Sequence, residues 1–320
     1  MAHPDERGPA LNDATALIGN RPALSARVAQ DHCLVFRQLL DPQQLSTLRG
    51  ELLRVMHRWG WLAADTDPAA ALPSQPRQEG GAGWWRPYAD LQRIEAFHRL
   101  VHDPRLTVAL RSLIAEDLLP HGRRIVSLIY PGFHVPSHQD FSYVQGAVDF
   151  FSVWIPLDPH PDEVGKVRVF PTEDARQLRP LQVTRTRGVG TDVSDDDPRW
   201  QEIDLKLGDV LVYHSMTIHA VSPNRSGRIA VACEYRYQSA RDPICEGSLR
   251  PHHYPRVPDW PDLAKGWSTR QWVRTPRRLR RAAYVMPHSF ESWHQELAVP
   301  ASRFIPVNSS LGGAELPSAR

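Results

Sequence analysis

Apolar residues in the first part of the chain recur at helical spacing. Leu45, Leu48, Leu52, Val55, Met56 and Trp59 fall three or four residues apart, the period of a helix with one buried face. Asp41 stands ahead of them as an N-cap, Pro42 suits the first helical position, and Gly60 stops the run. A second helix is predicted to open the same way at Asp103-Pro104, with Leu106, Leu110, Leu113 and Ile114 on one face. Between them, residues 67–83 mix prolines and glycines with polar side chains and predict a mobile surface loop.

After Pro120 the pattern shortens. Apolar and β-branched runs cover residues 125–130, 148–157, 167–170, 203–207, 210–213 and 229–237, broken by Gly, Pro and Asp turns. Many short strands without intervening helices point to a sandwich or barrel, and a jelly roll is the natural candidate. The fold class expected is therefore α+β with a mostly β core: a double-stranded β-helix, cupin-like, in a single domain. Its parts would be a helical N-terminal layer over residues 1–120, a jelly-roll core over 121–240 and a C-terminal extension over 241–320. Residues 185–200 carry Asp192, Asp195, Asp196 and Asp197, too polar to pack, and are expected to lie over the barrel mouth. In the extension, Arg274, Arg277, Arg278, Arg280 and Arg281 form either a solvated face whose Trp272, Leu279 and Tyr284 pack on the barrel, or an anion-binding surface.

Composition narrows the function classes. A formal charge of +2 is too small for a general polyanion binder, so nucleic acid is not the expected partner. Cys33, Cys233 and Cys245 have no CxxC spacing and are odd in number, which fits a reducing compartment better than a disulfide framework. No run approaches the roughly 18 apolar residues of a membrane span, and the N-terminus lacks an apolar signal core. A cytoplasmic enzyme acting on a small molecule is the expectation, with no reading of its oligomeric state.

The chemistry is concentrated in His138-Gln139-Asp140 and, about eighty residues on, His219, followed by Arg228. Two imidazoles and one carboxylate can occupy one face of an octahedral iron(II) and leave the opposite positions open, the arrangement of non-haem oxygenases. In an extended segment residues two apart face the same way, so His138 and Asp140 can reach one metal while Gln139 points elsewhere. His134 has no carboxylate two residues on. His214 differs from His219 by an odd number and would face the other side of a strand.

These residues, with Val153-Trp154-Ile155-Pro156-Leu157-Asp158, Gly208-Asp209-Val210 and the segment Leu34 to Pro42, resemble the phytanoyl-CoA dioxygenase family of iron(II)/2-oxoglutarate enzymes from about residue 30 to 240. The resemblance implies that His138, Asp140 and His219 hold iron(II), and that 2-oxoglutarate and dioxygen are co-substrates. It also implies that decarboxylation of 2-oxoglutarate to succinate drives hydroxylation of an unactivated C–H bond. It further implies that Arg228, nine residues after His219, takes the distal carboxylate of 2-oxoglutarate, where a guanidinium can donate two parallel hydrogen bonds. Arg225 and Arg236 are its rivals. Trp154 matches a strand tryptophan near the co-substrate, and Ser127 and Tyr130 could add a hydroxyl to the pocket. A halogenase is disfavoured, because a halide needs the position that Asp140 fills. One departure stands out: where the family has a Gly-Gly-Leu strand ending in Pro-Gly-Ser-His, this chain has Gly165 to Glu173, with Lys166 and Arg168 expected near the substrate. The alternatives are a cupin-type metal enzyme that does not use 2-oxoglutarate, which Arg228 argues against, and a non-enzymatic small-molecule binding module, which the intact triad argues against.

Overall fold

The computed structural model describes residues 13–284 apart from 159–162, 173–177, 180 and 185–187. In chain order its helices are α1 (Arg21–Asp31), α2 (Pro42–Arg58), α3 (Trp85–Gln92), α4 (Glu95–Leu100), α5 (Pro104–Leu113), α6 (Phe141–Val144) and α7 (Trp260–Leu263). The strands are β1 (Cys33–Phe36), β2 (Leu118–Pro120), β3 (Ile125–Ile129), β4 (Val135–His138), β5 (Phe151–Pro156), β6 (Val167–Phe170), β7 (Leu181–Thr184), β8 (Gly188–Thr191), β9 (Gln201–Glu202), β10 (Val210–His214), β11 (Ile218–Val221), β12 (Ala230–Ser239), β13 (Ile244–Cys245) and β14 (Arg281–Ala282).

Two of the helices start as their sequences predict. The Asp41 carboxylate accepts from the Gln43 backbone N–H at 2.9 Å, and Asp103 does the same for Arg105. Each satisfies a donor that the first helical turn leaves without an intrahelical partner.

The core is two antiparallel sheets. One runs β1-β10-β5-β12-β2, with β3 also paired to β12; the other runs β4-β11-β6-β9. This is the jelly roll that the strand pattern predicts. Side-chain alternation divides the larger sheet cleanly. Val231, Cys233, Tyr235 and Tyr237 of β12, Val153 and Ile155 of β5, and Leu34 and Phe36 of β1 face the core shared with the helices. Trp154, Leu211, Tyr213, Ala230 and Ala232 face inward between the sheets. The hydroxyls of Tyr235 and Tyr237 donate to the carbonyls of Phe97 and Val101 at 2.7 and 2.8 Å, fastening the sheet to the end of α4.

Several segments differ from expectation. The strand predicted at 203–207 is absent; the chain pairs instead at Gln201–Glu202, opposite Arg168 and Val169. The loop at 67–83 is anchored: Ala71 is fully buried and its carbonyl accepts from Ile229 at 2.9 Å. Within the acidic insertion, residues 185–187 lie outside the described residues, and part of the remainder is tied down by pairing. The β8 strand pairs with β7, Arg179 holds Asp192 at 2.9 and 3.0 Å, and the Val193 carbonyl accepts from Ser137. Asp192, Asp195 and Asp197 are paired with Arg179, Arg168 and Arg199, which composition alone does not reveal. In the extension the arginines are exposed and no helix carries them, while Leu279 packs beside Leu119, Ile244 and Leu249. Tyr284 remains 45% exposed, its hydroxyl donating to the Ser142 carbonyl at 3.1 Å.

A node of buried polar groups joins α4 to the start of the barrel. His98 donates from Nε2 to the Gln92 carbonyl at 2.8 Å and accepts from Arg124 at Nδ1 at 3.2 Å. Burial, then the Arg124 charge, pushes the His98 imidazole well below its ordinary range, and burial pushes His121 down to about 3. Folded, both are neutral near pH 7. The unfolded chain protonates them near pH 6.5, so it binds more protons below that pH and stability falls as pH drops. Each should lose about 2 kcal/mol between pH 7.5 and 5. A metal-free sample should therefore show a thermal midpoint that drops over that interval; a flat midpoint would contradict the buried neutral pair.

Candidate metal centre

Strand pairing assembles the centre. β4 ends at His138 and β11 begins one residue before His219, and the two histidines are direct partners across that antiparallel ladder. Their ring centroids lie 4.1 Å apart. Asp140 follows immediately, at the turn into α6. The ligand atoms of His138, Asp140 and His219 all lie within 4.8 Å of one another.

The imidazoles are oriented from behind. The Nδ1 of His138 lies 2.8 Å from the Pro136 carbonyl and that of His219 lies 3.0 Å from the Thr217 carbonyl. A nitrogen facing a carbonyl must carry the proton, so each Nε2 keeps its lone pair for a metal. Burial pushes His138 down to about 3 and lowers His219 as well, so both are neutral at physiological pH. Two neutral nitrogens and one carboxylate fit iron(II). Gln139 points away, donating to the Met216 carbonyl and accepting from the Arg179 backbone. His214 and His134 also lie elsewhere, beside Asp149 and Asp195.

Asp140 is held by a residue that spacing ranks low. Arg236 donates from Nε to Oδ2 at 3.1 Å and from Nη2 to Oδ1 at 2.9 Å, and the Ser152 hydroxyl donates to Oδ2. The Arg236 and Asp140 side chains are 5% and 2% exposed. Burial alone would raise the Asp140 carboxyl, but the Arg236 charge, followed by His219 and His138, holds it well below the usual carboxylate range. Oδ1 also faces His138, 3.8 Å from its Nε2.

Arg228 stands elsewhere. Its guanidinium binds Glu163 at 2.8 Å, with the side chain 26% exposed, and it does not line the cavity at the triad. The reason is the path of the chain. β11 leads away from the metal end, Asn224 clamps the turn by donating to the Ile129 and Arg228 carbonyls, and β12 regains the level of the triad only at Glu234 and Arg236. Lys166 and Arg168 also point toward acidic partners, Asp204 and Asp195, while the alternate residues Val167 and Val169 turn inward. The substrate-side placement expected for these two cations is therefore corrected by the alternation of β6.

A cavity of about 320 Å³ opens over the triad. Trp154 and Ser127 line it; Tyr130 does not. Its other walls come from residues that no motif announces: Arg123, Tyr143, Tyr213, Glu234 and, from outside the barrel, Glu79, His252 and His253. His252 meets the Tyr88 hydroxyl at 2.7 Å and His253 meets Glu79 at 2.6 Å, and the three form a second close group of metal-capable side chains. The segment after β13 can approach this closely because Gly122 has no Cβ, which would lie 2.4 Å from the Leu249 carbonyl oxygen.

Residues 30–232 match the family described as phytanoyl-CoA dioxygenase, more than half of the chain. The chain belongs to that family. It is thus a 2-oxoglutarate-dependent non-haem iron oxygenase, with iron(II) as its cofactor and 2-oxoglutarate and dioxygen as its co-substrates. It is 29% identical over 275 residues to a 1-deoxypentalenic acid 11-beta-hydroxylase of Streptomyces exfoliatus, covering 79% of this chain and 90% of the relative. In fold it is similar to the non-haem monooxygenase ThoJ, with a TM-score of 0.52 and 21% identity over 69% of this chain and 79% of the other. It is also similar to the epimerase SnoN solved with Fe3+, alpha ketoglutarate and a nogalamycin compound, with a TM-score of 0.52 and 18% identity over 72% and 87% of the two chains. Among the described residues no helix is long and apolar enough to cross a membrane.

Two consequences can be measured. Asp140→Ala leaves a buried guanidinium without its counter-ion, which should cost about 3–5 kcal/mol in the metal-free protein along with nickel or iron binding. His219→Ala should lose the metal with a much smaller change in melting temperature. If Asp140→Ala melts with the wild type, the ion pair has no structural weight. Arg228→Gln, by contrast, should leave 2-oxoglutarate affinity within about twofold, since calorimetry would be reading a group outside the cavity.

Proposed function

We propose that this family member hydroxylates an unactivated C–H bond of a small molecule of secondary metabolism, with His138, Asp140 and His219 holding the iron. The observation that carries the reading is the pair of cross-strand histidines, each with Nδ1 tied to a backbone carbonyl, whose ligand atoms lie within 4.8 Å of one another and of the Asp140 carboxylate. The relative named as a hydroxylase of 1-deoxypentalenic acid supports both the reaction class and the substrate class.

The chain's own residues have definable tasks. The Pro136 and Thr217 carbonyls fix the tautomer of the two imidazoles. Ser152 and Arg236 hold Asp140 ionised and fix its rotamer, leaving Oδ1 facing His138. Bound iron supplies the oxidising chemistry and the chelation of 2-oxoglutarate. The rings of Trp154, Tyr213 and Tyr143 wall the cavity and exclude water from the reacting C–H bond. With a volume of about 320 Å³, the cavity suits the co-substrate and a compact metabolite rather than a polymer.

The test is succinate formation from 2-oxoglutarate under air. Losing the outer-shell partner of a metal ligand costs roughly 10- to 100-fold, so loss of a ligand itself in His219→Ala should lower succinate release by about 100-fold or more. Chelation should abolish the wild-type signal and iron(II) should restore it. Succinate release that persists in His219→Ala would remove that residue from the centre.

A further inference from the structure

The outer wall of the cavity carries a donor set that the triad does not use. Glu79, from the segment before α3, and His252 and His253, from the segment after β13, place their ligand atoms within 4.8 Å of one another, and all three line the cavity. The set repeats that of the triad, two imidazoles and one carboxylate. His252 is buried, whereas the His253 and Glu79 side chains are 25% and 28% exposed, which leaves an ion a way in.

The local chain brings the two imidazoles together. Neighbouring residues of an extended segment point to opposite sides. Here the Tyr254 N–H donates to the Pro251 carbonyl at 3.1 Å, which sets His252 and His253 at the centre of a four-residue turn, and His253 takes a left-handed φ of 65°. Glycine fits such a position without strain, yet histidine occupies it. The two rings lie side by side, with centroids 3.7 Å apart. Helix α3 supports both: Trp85 meets the His253 ring edge-on at 5.1 Å between centroids, and the Tyr88 hydroxyl lies 2.7 Å from His252 Nδ1. Ligation through His252 Nε2 requires the ring proton on Nδ1, where the Tyr88 oxygen can accept it, the part that the Pro136 and Thr217 carbonyls play for the triad. His253 Nε2 donates to Glu79 at 2.6 Å. Metal–ligand bonds of about 2.0–2.2 Å put two tetrahedral ligand atoms roughly 3.3 Å apart, so an ion taken up here replaces that proton and parts the pair slightly.

We propose that Glu79, His252 and His253 form a second cation site on the outer wall of the cavity, separate from the triad, for a borderline divalent ion such as zinc(II). Imidazole and carboxylate are ligands that such an ion takes, and three protein ligands leave a fourth position for water or for an oxygen or nitrogen of the molecule in the cavity. The site does not rest on the oxygenase reading, because none of its residues belongs to the triad.

The test is zinc stoichiometry and affinity in the untagged full chain, stripped with a chelator and titrated with zinc(II) by calorimetry. The wild type should hold two ions, one at each group. His219→Ala should keep the outer ion and lose that of the triad; His253→Ala should do the reverse, and the double variant should hold neither. Glu79→Gln preserves the shape of the side chain but removes its charge, and should weaken the outer site about tenfold or more. One zinc in the wild type and none in His219→Ala overturns the proposal, as does an ion in His219→Ala that survives both His253→Ala and Glu79→Gln. Should His253→Ala not fold, as judged by its melting curve, Glu79→Gln in the His219→Ala background decides. A single zinc kept in His219→Ala and lost in His253→Ala would support the outer site and sink the triad, so the two readings fail separately.

Discussion

The buried ion pair between Asp140 and Arg236 is the constraint around which the centre is arranged. A carboxylate 2% exposed between two sheets cannot remain ionised without a counter-charge, and the alternative to pairing is protonation. Arg236 provides that charge and both hydrogen bonds, and Ser152 supplies a third donor from the adjacent strand, where it is the register partner of Arg236. Because a lone buried charge is so unfavourable, β5 and β12 must keep this register, which also brings Trp154 beside Glu234 at the cavity wall. The cost of desolvating the pair is offset by a fixed, anionic ligand.

The length of β12 follows from the same need. Its ten residues begin at the far end of the barrel and return to the level of the triad at Glu234 and Arg236. One strand therefore serves three environments through two-residue alternation: a tyrosine-rich face against the helices, small alanines in the inner core, and charged residues at the cavity. A slip of one residue would bury Arg236 against α4 and turn Tyr235 and Tyr237 into the barrel, so register is strongly specified.

The cavity itself is shared between barrel and surroundings. The jelly roll contributes the triad, Ser127, Trp154 and Tyr213, whereas Glu79 comes from the segment before α3 and His252 and His253 come from the segment after β13. These outer groups are tied to the helical layer through Tyr88, whose hydroxyl also meets Gln92 at 3.3 Å. These outer walls belong to segments whose sequence carries no periodic signal, so no pattern announces them.

What could be read from the sequence was local. The N-caps at Asp41 and Asp103, the apolar faces of α2 and α5 and the alternation of the main strands depend on neighbours within a few residues, as does the common direction of His138 and Asp140, so pattern alone reports them. The distant His219 was legible because the family resemblance supplied the pairing that β4 and β11 then make. The helices α1, α3 and α4 were missed, being short or weakly patterned, with Leu24 the one buried residue of α1. Arg228 pairs with Glu163, a contact that spacing does not report, because distance along the chain from His219 does not measure distance in space once the intervening turn carries the strand away from the metal. Which arginine meets Asp140, which cations face outward and which loops close the cavity were decided only by tertiary structure, because each depends on where a chain reversal ends and on which buried charge has to be neutralised.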